Sequence, residues 1–268
     1  MAATTTYLLD NAQAQAPRRM QVLAALFDAH TRRALDATGL APRWNCLEVG
    51  GGGGSVARWL AERVGPQGSV LCTDLDPRHI DGDLPNLRVE RHDIVRDPLP
   101  EARFDLIHAR LVLIHIPERA AVLAKLASAL KPDGWLVIED FDTASMLPDS
   151  AANAYETQLA TADAMRRYMT QGGADGRFGR TLHGRLRALG LLDVTAEGRV
   201  VMFDAHNAGT ELMRVNFEQV GAQLVASGYV SADQLRADIA RLGAPDYAAP
   251  SPVMWTVAGR KPLSPDFS

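Results

Sequence analysis

The sequence predicts an α/β fold, a parallel sheet covered by helices on both faces with further helices added outside it. Two observations carry this expectation. Between Trp44 and Asp142 short apolar runs alternate with helical patterns, which is the signature of successive βαβ units with right-handed crossovers. Five consecutive glycines, Gly50 to Gly54, stand between the first such run and the helix after it. Glycine is costly to order, so an unbroken run at a strand-to-helix junction asks for a ligand or a close backbone approach.

The elements follow in order. Residues 17–38 read as a helix with Met20, Leu23 and Phe27 on one face. "WNCLEV" (44–49) and "SVLCTDL" (69–75) are buried strands, "NLRVERHD" (86–93) is a weaker one, and "FDLIHA" (104–109) and "WLVIED" (135–140) are strong. Helices are expected over Val56 to Val64 and Pro117 to Leu130, the second with Ile116, Leu123, Leu126 and Leu130 along one side. Residues 143–178 hold no strand pattern; they contain a helix, "ATADAMRRYM", and a glycine-rich loop, "QGGADGRFG". Leu182, Leu186 and Leu189 form a helical stripe stopped by Gly190. "LLDVTAEGRVVMF" (191–203) reads as a strand with a turn, or a hairpin. Met213, Phe217, Val220 and Leu224 make another stripe, Ser231 with Gln234 a capping box ahead of Leu235, and "SPVMWTVAGRKP" (251–262) a final strand.

Composition narrows the function. The 268 residues are 47% apolar and 22% charged with a formal charge of −4, which argues against a nucleic-acid surface. The arginine clusters at Arg166–Arg167 and Arg177–Arg187 read as solvated helix faces. Cys46 and Cys72 sit inside apolar strands, so neither a disulfide nor a metal site is expected. The first twenty residues carry no basic stretch followed by an apolar core, and the longest apolar run, "LVLIHI", is too short to span a bilayer. The expectation is a cytoplasmic chain without a membrane partner.

Three ligands suit a strand, a glycine loop and a helix. A mononucleotide-phosphate loop is excluded, because no Lys-Ser or Lys-Thr follows the glycines. A dinucleotide fingerprint is satisfied by Gly52, Gly54 and Ala57 with Asp74 twenty residues on, although a glycine run meets such patterns by degeneracy. The third register is Glu48-x-Gly50-x-Gly52-x-Gly54. An acid at the strand end suits a cationic amino-acid moiety, as in S-adenosylmethionine, while Asp74 can accept from two ribose hydroxyls. In this register Gly51 and Gly53 are not required.

At this point the chain resembles the class I S-adenosylmethionine-dependent methyltransferases. The resemblance rests on "LEVGGGGGSVARWL", "VLCTDLDP", "RHDI", "FDLIHARLVLIHIP", "LKPDGWLVIED" and "WTVAGRKP", in family order and spacing over about 44–142 and 251–262. It implies a doubly wound seven-stranded sheet of order 3-2-1-4-5-7-6 with strand seven antiparallel. It also implies that Glu48, Gly50 and Gly52 line the methionine part of the cofactor, Asp74 holds the ribose, Leu75 packs on adenine, and Asp93 accepts from the adenine amino group beside Ile94. Ala109 and Arg110 would border the sulfonium. The sequence departs from the family at Asp133, where glycine is usual, and lacks the strand-four motif of enzymes that methylate base or amide nitrogens.

The expected organisation is a helical lid over 1–40, the S-adenosylmethionine-binding domain over 41–142 and 179–262, and helical cap insertions over 143–178 and 205–245. The substrate would be a small-molecule methyl acceptor with an O or N nucleophile; the added helices serve equally as a lid or as a homodimer surface. His115, before a helix near the expected substrate, is the candidate general base, with helix capping as its plain alternative. Glu139, Asp140 and Asp142 cluster at the carboxyl edge of the sheet; Asp140 and Asp142, expected to lie further out, are the candidates to orient the substrate or accept its proton. His108 has a structural place on strand four. Tyr7 and Tyr168 either close over the site or pack. Two competing functions keep the fold: a non-methylating reaction beside bound S-adenosylmethionine, and a nicotinamide oxidoreductase.

Overall fold

The structure, a computed structural model, describes residues 9–145, 159–205 and 207–263. In chain order it contains α1 (Ala16–Asp36), β1 (Asn45–Val49), α2 (Ser55–Val64), β2 (Ser69–Asp74), β3 (Leu87–Arg91), β4 (Phe104–Arg110) and a 3-10 turn (Leu113–His115). These lead into α3 (Arg119–Ala129), β5 (Leu130–Asp142), α4 (Ala160–Gln171), α5 (Phe178–Ala188), β6 (Leu192–Arg199) and β7 (Met202–Asp204). The remaining elements are α6 (Ala208–Ala226), α7 (Ala232–Arg241), β8 (Ala248–Pro250) and β9 (Val253–Arg260).

The main sheet has seven strands in the order β3-β2-β1-β4-β5-β9-β6. β3, β2, β1, β4 and β5 run parallel, and β9 is antiparallel to both of its neighbours. With β9 as the seventh strand of the sheet, this is the expected order. Alternation along each strand divides the core in two. Leu47, Ile107 and Leu136 pack with Leu123 and Leu126 of α3 and Phe178, Leu182 and Leu186 of α5. On the other face Cys46, Val70, Leu106 and Val137 pack with Leu60 of α2 and Leu35 of α1.

The local signals explain most boundaries. Gly190, at φ +79°, follows α5 in the left-handed conformation that stops a helix. The Ser231 side chain accepts from the Gln234 backbone N–H at 3.1 Å and starts α7. Asp133, where the family usually carries glycine, sits at φ +67°, a conformation that Asp adopts more readily than most residues. One expectation is corrected. Residues 191–203 do not form a hairpin: β6 pairs with β9, whereas β7 leaves the sheet and pairs with β8 in a separate two-stranded ribbon.

Outside the sheet, α1 lies against β5, β9 and α6, and α6 also meets α4, α7 and β7. Phe27 of α1, Leu212 of α6 and Met254 of β9 are buried together. Phe27 also meets Phe141 of β5 edge to face, with ring centroids 5.8 Å apart. Tyr168 packs on Tyr229 at 5.5 Å, while Tyr7 lies outside the described residues. Among the described residues no helix is long and apolar enough to cross a membrane.

Candidate active site

The glycine run adopts the alternation that Glu48 sets. Gly50, Gly52 and Gly54 have φ of +68°, +57° and +78°, and Gly51 and Gly53 do not share the left-handed conformation. The N–H groups of Gly50 and Gly51 donate to the Thr73 carbonyl at 2.7 and 3.1 Å, and that of Gly52 to Asp74 Oδ2 at 3.0 Å. The loop is thereby folded onto the end of β2. The expectation that Gly51 is not required is corrected: a Cβ there would stand 2.2 Å from Cys72 Sγ. At Gly53 the nearest atom would be Met20 Cβ at 3.2 Å, a tight contact but far less severe than the one at Gly51.

Glu48, Gly50, Gly52, Asp74, Leu75, Asp93, Ile94 and Arg110 all line one cavity of about 300 Å³. Ala109 does not line it; fully buried, it pairs with Val49 and Ile138 within the sheet. Burial raises the Asp74 carboxyl against the hydrogen bonds it accepts from the Asp76 and Gly52 N–H groups; Asn11 Nδ2 also donates to it at 3.3 Å. Asp93 accepts from the Val95 N–H at 2.9 Å. Leu75 is 55% exposed at the rim.

Beneath the cavity runs a buried polar chain. His108 donates through Nδ1 to Glu48 Oε2 at 2.7 Å and through Nε2 to Glu139 Oε2 at 3.2 Å. With both ring nitrogens donating to carboxylates the imidazole is a cation. Burial alone would pull its pKa down, but the Glu48 charge and the bonds to Glu139 and Glu48 outweigh it and push it up to about 9. Glu139, pulled the other way by His108, falls to about 2 despite its burial. Glu139 also accepts from Thr31 and, at 2.6 Å, from Thr256. Arg110 donates to Thr31 at 2.8 Å and to Asp28 at 2.9 Å. The chain thus ties the end of β1 through β4 and β5 to α1.

A second cavity, of about 220 Å³, lies between the ends of β4 and β5 and the layer of α1, α4 and α6. Its wall is mostly apolar, with Phe141, Met165, Phe203, Met213, Phe217 and Tyr247 among its residues. Arg19, Leu23, Leu111 and His115 line both cavities. Burial, with the Arg19 and Arg119 charges, lowers the His115 pKa to about 4, so the ring is neutral near pH 7.

Asp140 and Asp142 line neither cavity. The expectation that they lie further out is corrected: both are buried, at 0% and 2% exposure. Asp140 Oδ2 accepts from the Ile114 N–H at 3.2 Å and Asp142 pairs with Arg180 of α5. Successive strand residues point to opposite faces, and it is Glu139 and Phe141 that face the α1 side, against Thr31 and Phe27. Residues that sequence reasoning missed are Phe141 and Arg19. Arg19 carried a signal, since it shares the helix stripe of Leu23, Phe27 and Thr31 at intervals of four.

The strand order, the alternating glycine loop and the acids at the ends of β1, β2 and β3 define a class I methyltransferase fold. Residues 12–220 match the family described as a methyltransferase domain, and the chain belongs to it. Methyltransferase str2 of Strobilurus tenacellus is 33% identical over 144 residues, 53% of this chain and 51% of its own length. Trans-aconitate 2-methyltransferase of Deinococcus radiodurans is 31% identical over 185 residues, covering 65% of this chain and 69% of its own. The chain spans about half the length of the first curated relatives it matches. Among solved structures, a Haemonchus contortus phosphoethanolamine N-methyltransferase in complex with phosphomonomethylethanolamine and S-adenosylhomocysteine has a similar fold. Its TM-score is 0.61 at 16% identity, over 98% of this chain and 61% of that one.

Proposed function

We propose that the protein is an S-adenosylmethionine-dependent methyltransferase that acts on the O or N nucleophile of a small molecule. The single observation that carries this reading is the common wall: Arg19, Leu23, Leu111 and His115 separate a cavity lined by the glycine loop from an apolar one beside it. The residues of the first cavity fit the cofactor. Gly50 and Gly52 present backbone without side chains, Glu48 offers a carboxylate where an ammonium group belongs, and Asp74 offers acceptors to ribose hydroxyls. Leu75 and Ile94 supply apolar walls for adenine, with Asp93 beside them.

Bound there, S-adenosylmethionine supplies a methyl group already activated on sulfur. The chain's own residues then have to align the acceptor and exclude water, which together contribute roughly 7–11 kcal/mol. His115 reaches both cavities and is uncharged near neutral pH, which supports it as the acceptor of a hydrogen bond from the acceptor nucleophile; with its pKa lowered to about 4 it is a weak base until the bound acceptor changes its surroundings. Residues 1–40, 143–178 and 205–245 are assigned as the cap, supported by the part that α1, α4 and α6 take in walling the second cavity. A net charge of −4 and free, buried Cys46 and Cys72 support a small acceptor rather than a polyanion, and a reducing cytoplasm.

The experiment is a calorimetric titration with S-adenosylhomocysteine, followed by a screen of acceptors for S-adenosylhomocysteine formation. Wild type is expected to bind and Asp74→Ala to bind at least tenfold more weakly, roughly the cost of losing a charged hydrogen-bond acceptor. Equal binding by the two proteins sinks the cofactor assignment. Binding of NADH instead would point to a nicotinamide cofactor in this cavity.

A further inference from the structure

Arg19 is the charged side chain whose surroundings the cofactor reading leaves unexplained. It is 7% exposed and lines both cavities. One terminal nitrogen donates to the Leu9 carbonyl at 3.1 Å, and buried Nε has no hydrogen-bond partner. Among the described residues no carboxylate forms an ion pair with it. The Asp74 carboxylate feels its charge from beyond ion-pair distance, but a guanidinium held out of water without a counter-charge in contact is expensive, and its five N–H donors match a carboxylate or another planar anion two at a time.

The charge balance says on which side that anion belongs. Of the acids that line the glycine-loop cavity, Glu48 is paired with His108, Asp76 with Arg78 and Asp93 with Arg96, while Asp10 and Asp74 have no ion pair among the described residues; its other arginine, Arg110, is paired with Asp28. In the apolar cavity Asp163 is paired with Arg166 and with Arg167. Arg19 and Arg166 both line the apolar cavity, and of the two only Arg19 has no carboxylate in contact among the described residues. Asn216 Oδ1, buried without a hydrogen-bond partner, adds an acceptor to the same wall.

We propose that the methyl acceptor is an apolar molecule with one anionic group, and that Arg19 binds that group at the boundary between the cavities. This rests on the methyltransferase reading and names the acceptor class for the same site. The salt bridge would hold one end of the acceptor against α1 while its body fills the space among Phe141, Met213, Phe217 and Tyr247. An acceptor tethered in this way can turn its nucleophile toward His115.

The test uses three acids, 4-phenylbutyrate, 1-naphthoate and decanoate, each against its primary amide. Calorimetric titrations of the full chain are run with and without saturating S-adenosylhomocysteine. Wild type is expected to bind at least one acid about tenfold or more tightly than its amide, in keeping with a charge-assisted bidentate contact. Arg19→Gln should abolish that preference and change the S-adenosylhomocysteine Kd by less than about twofold, whereas Arg19→Lys should keep part of the preference. A structure of the wild-type complex, expected to show the carboxylate on the Arg19 guanidinium, gives the same answer if Arg19→Gln does not fold. The proposal is overturned if no acid binds better than its amide, or if the preference survives in Arg19→Gln. It is equally overturned if Arg19→Gln weakens S-adenosylhomocysteine instead, which would make the cofactor's own carboxylate the occupant. Failure of wild type to bind S-adenosylhomocysteine is a different result: it removes the methyltransferase reading, while the acid–amide comparison still decides the anion site.

Discussion

Two carboxylates and an imidazole buried in contact are stable only while the imidazole holds its proton. His108 titrates at about 9 in the fold against an ordinary 6.5. Its contribution is therefore complete below pH 6.5 and is lost as the pH rises through about 9. Glu139, at about 2 against 4.5, contributes above pH 4.5 and loses its share as the pH falls through about 2. Urea unfolding followed from pH 6.5 to 9 should show falling stability in wild type, and His108→Gln should lack that slope. Removing the cation should also cost about 3–5 kcal/mol, because Glu48 and Glu139 are left uncompensated. The glycines give a second residue-scale test. Gly52→Val forces a β-branched residue to φ +57°, at roughly 1–3 kcal/mol, and should abolish cofactor binding. Gly51→Ala should destabilise by a similar amount through overpacking against Cys72, whereas Gly53→Ala should leave both stability and binding near wild type. If the three behave alike in thermal melts and titrations, the alternating conformation of the loop is wrong.

At the scale of elements, β5 fixes the turn after β4, which carries His115. Asp140 holds the Ile114 N–H and with it the turn that carries His115, while Asp142 anchors α5 through Arg180. Asp140→Ala should lower stability by about 1–3 kcal/mol and turnover with it, leaving the S-adenosylhomocysteine Kd unchanged. Asp142→Asn should affect stability alone; a loss of turnover in a folded Asp142→Asn protein would return Asp142 to the reaction. The strands were legible because their apolar runs are bounded by glycine and proline, and the loop register because Glu48 fixes it. The facing of β5 was not, because a strand buried on both sides shows no polar alternation to tell Asp140 from Phe141. β7 and β8 have three residues each, too few for any periodicity. Arg19 was legible only through its stripe with Leu23 and Phe27: an arginine on an amphipathic helix normally reads as its wet face, and its bond to the Leu9 carbonyl comes from a segment without periodicity.

For the whole molecule, the glycine-loop cavity draws its lining from the N-terminal segment, α1 and the ends of β1, β2, β3 and β4 together, so a ligand there should stabilise the chain as a unit. S-adenosylhomocysteine at a hundred times its Kd would contribute about 2.7 kcal/mol, or a rise in Tm of very roughly 5–10 °C for a domain of this size. NADH at the same concentration should give none, and the reverse pattern in a thermal shift assay would reject the cofactor. The placement of β9 between β5 and β6 has a further consequence, in time rather than in space. Thr256 reaches Glu139 across 117 residues and His30 across 226, so α1 finds its hydrogen-bonding partner on β9 only after every other strand has been made. During synthesis β5 waits as an open sheet edge, and the first helix waits for its seat. Such long-range closure is slow, and an unpaired edge is where nascent chains associate wrongly. Closure of the main sheet therefore waits for the last strand to be made, and chaperone dependence should track the emergence of residues 253–260.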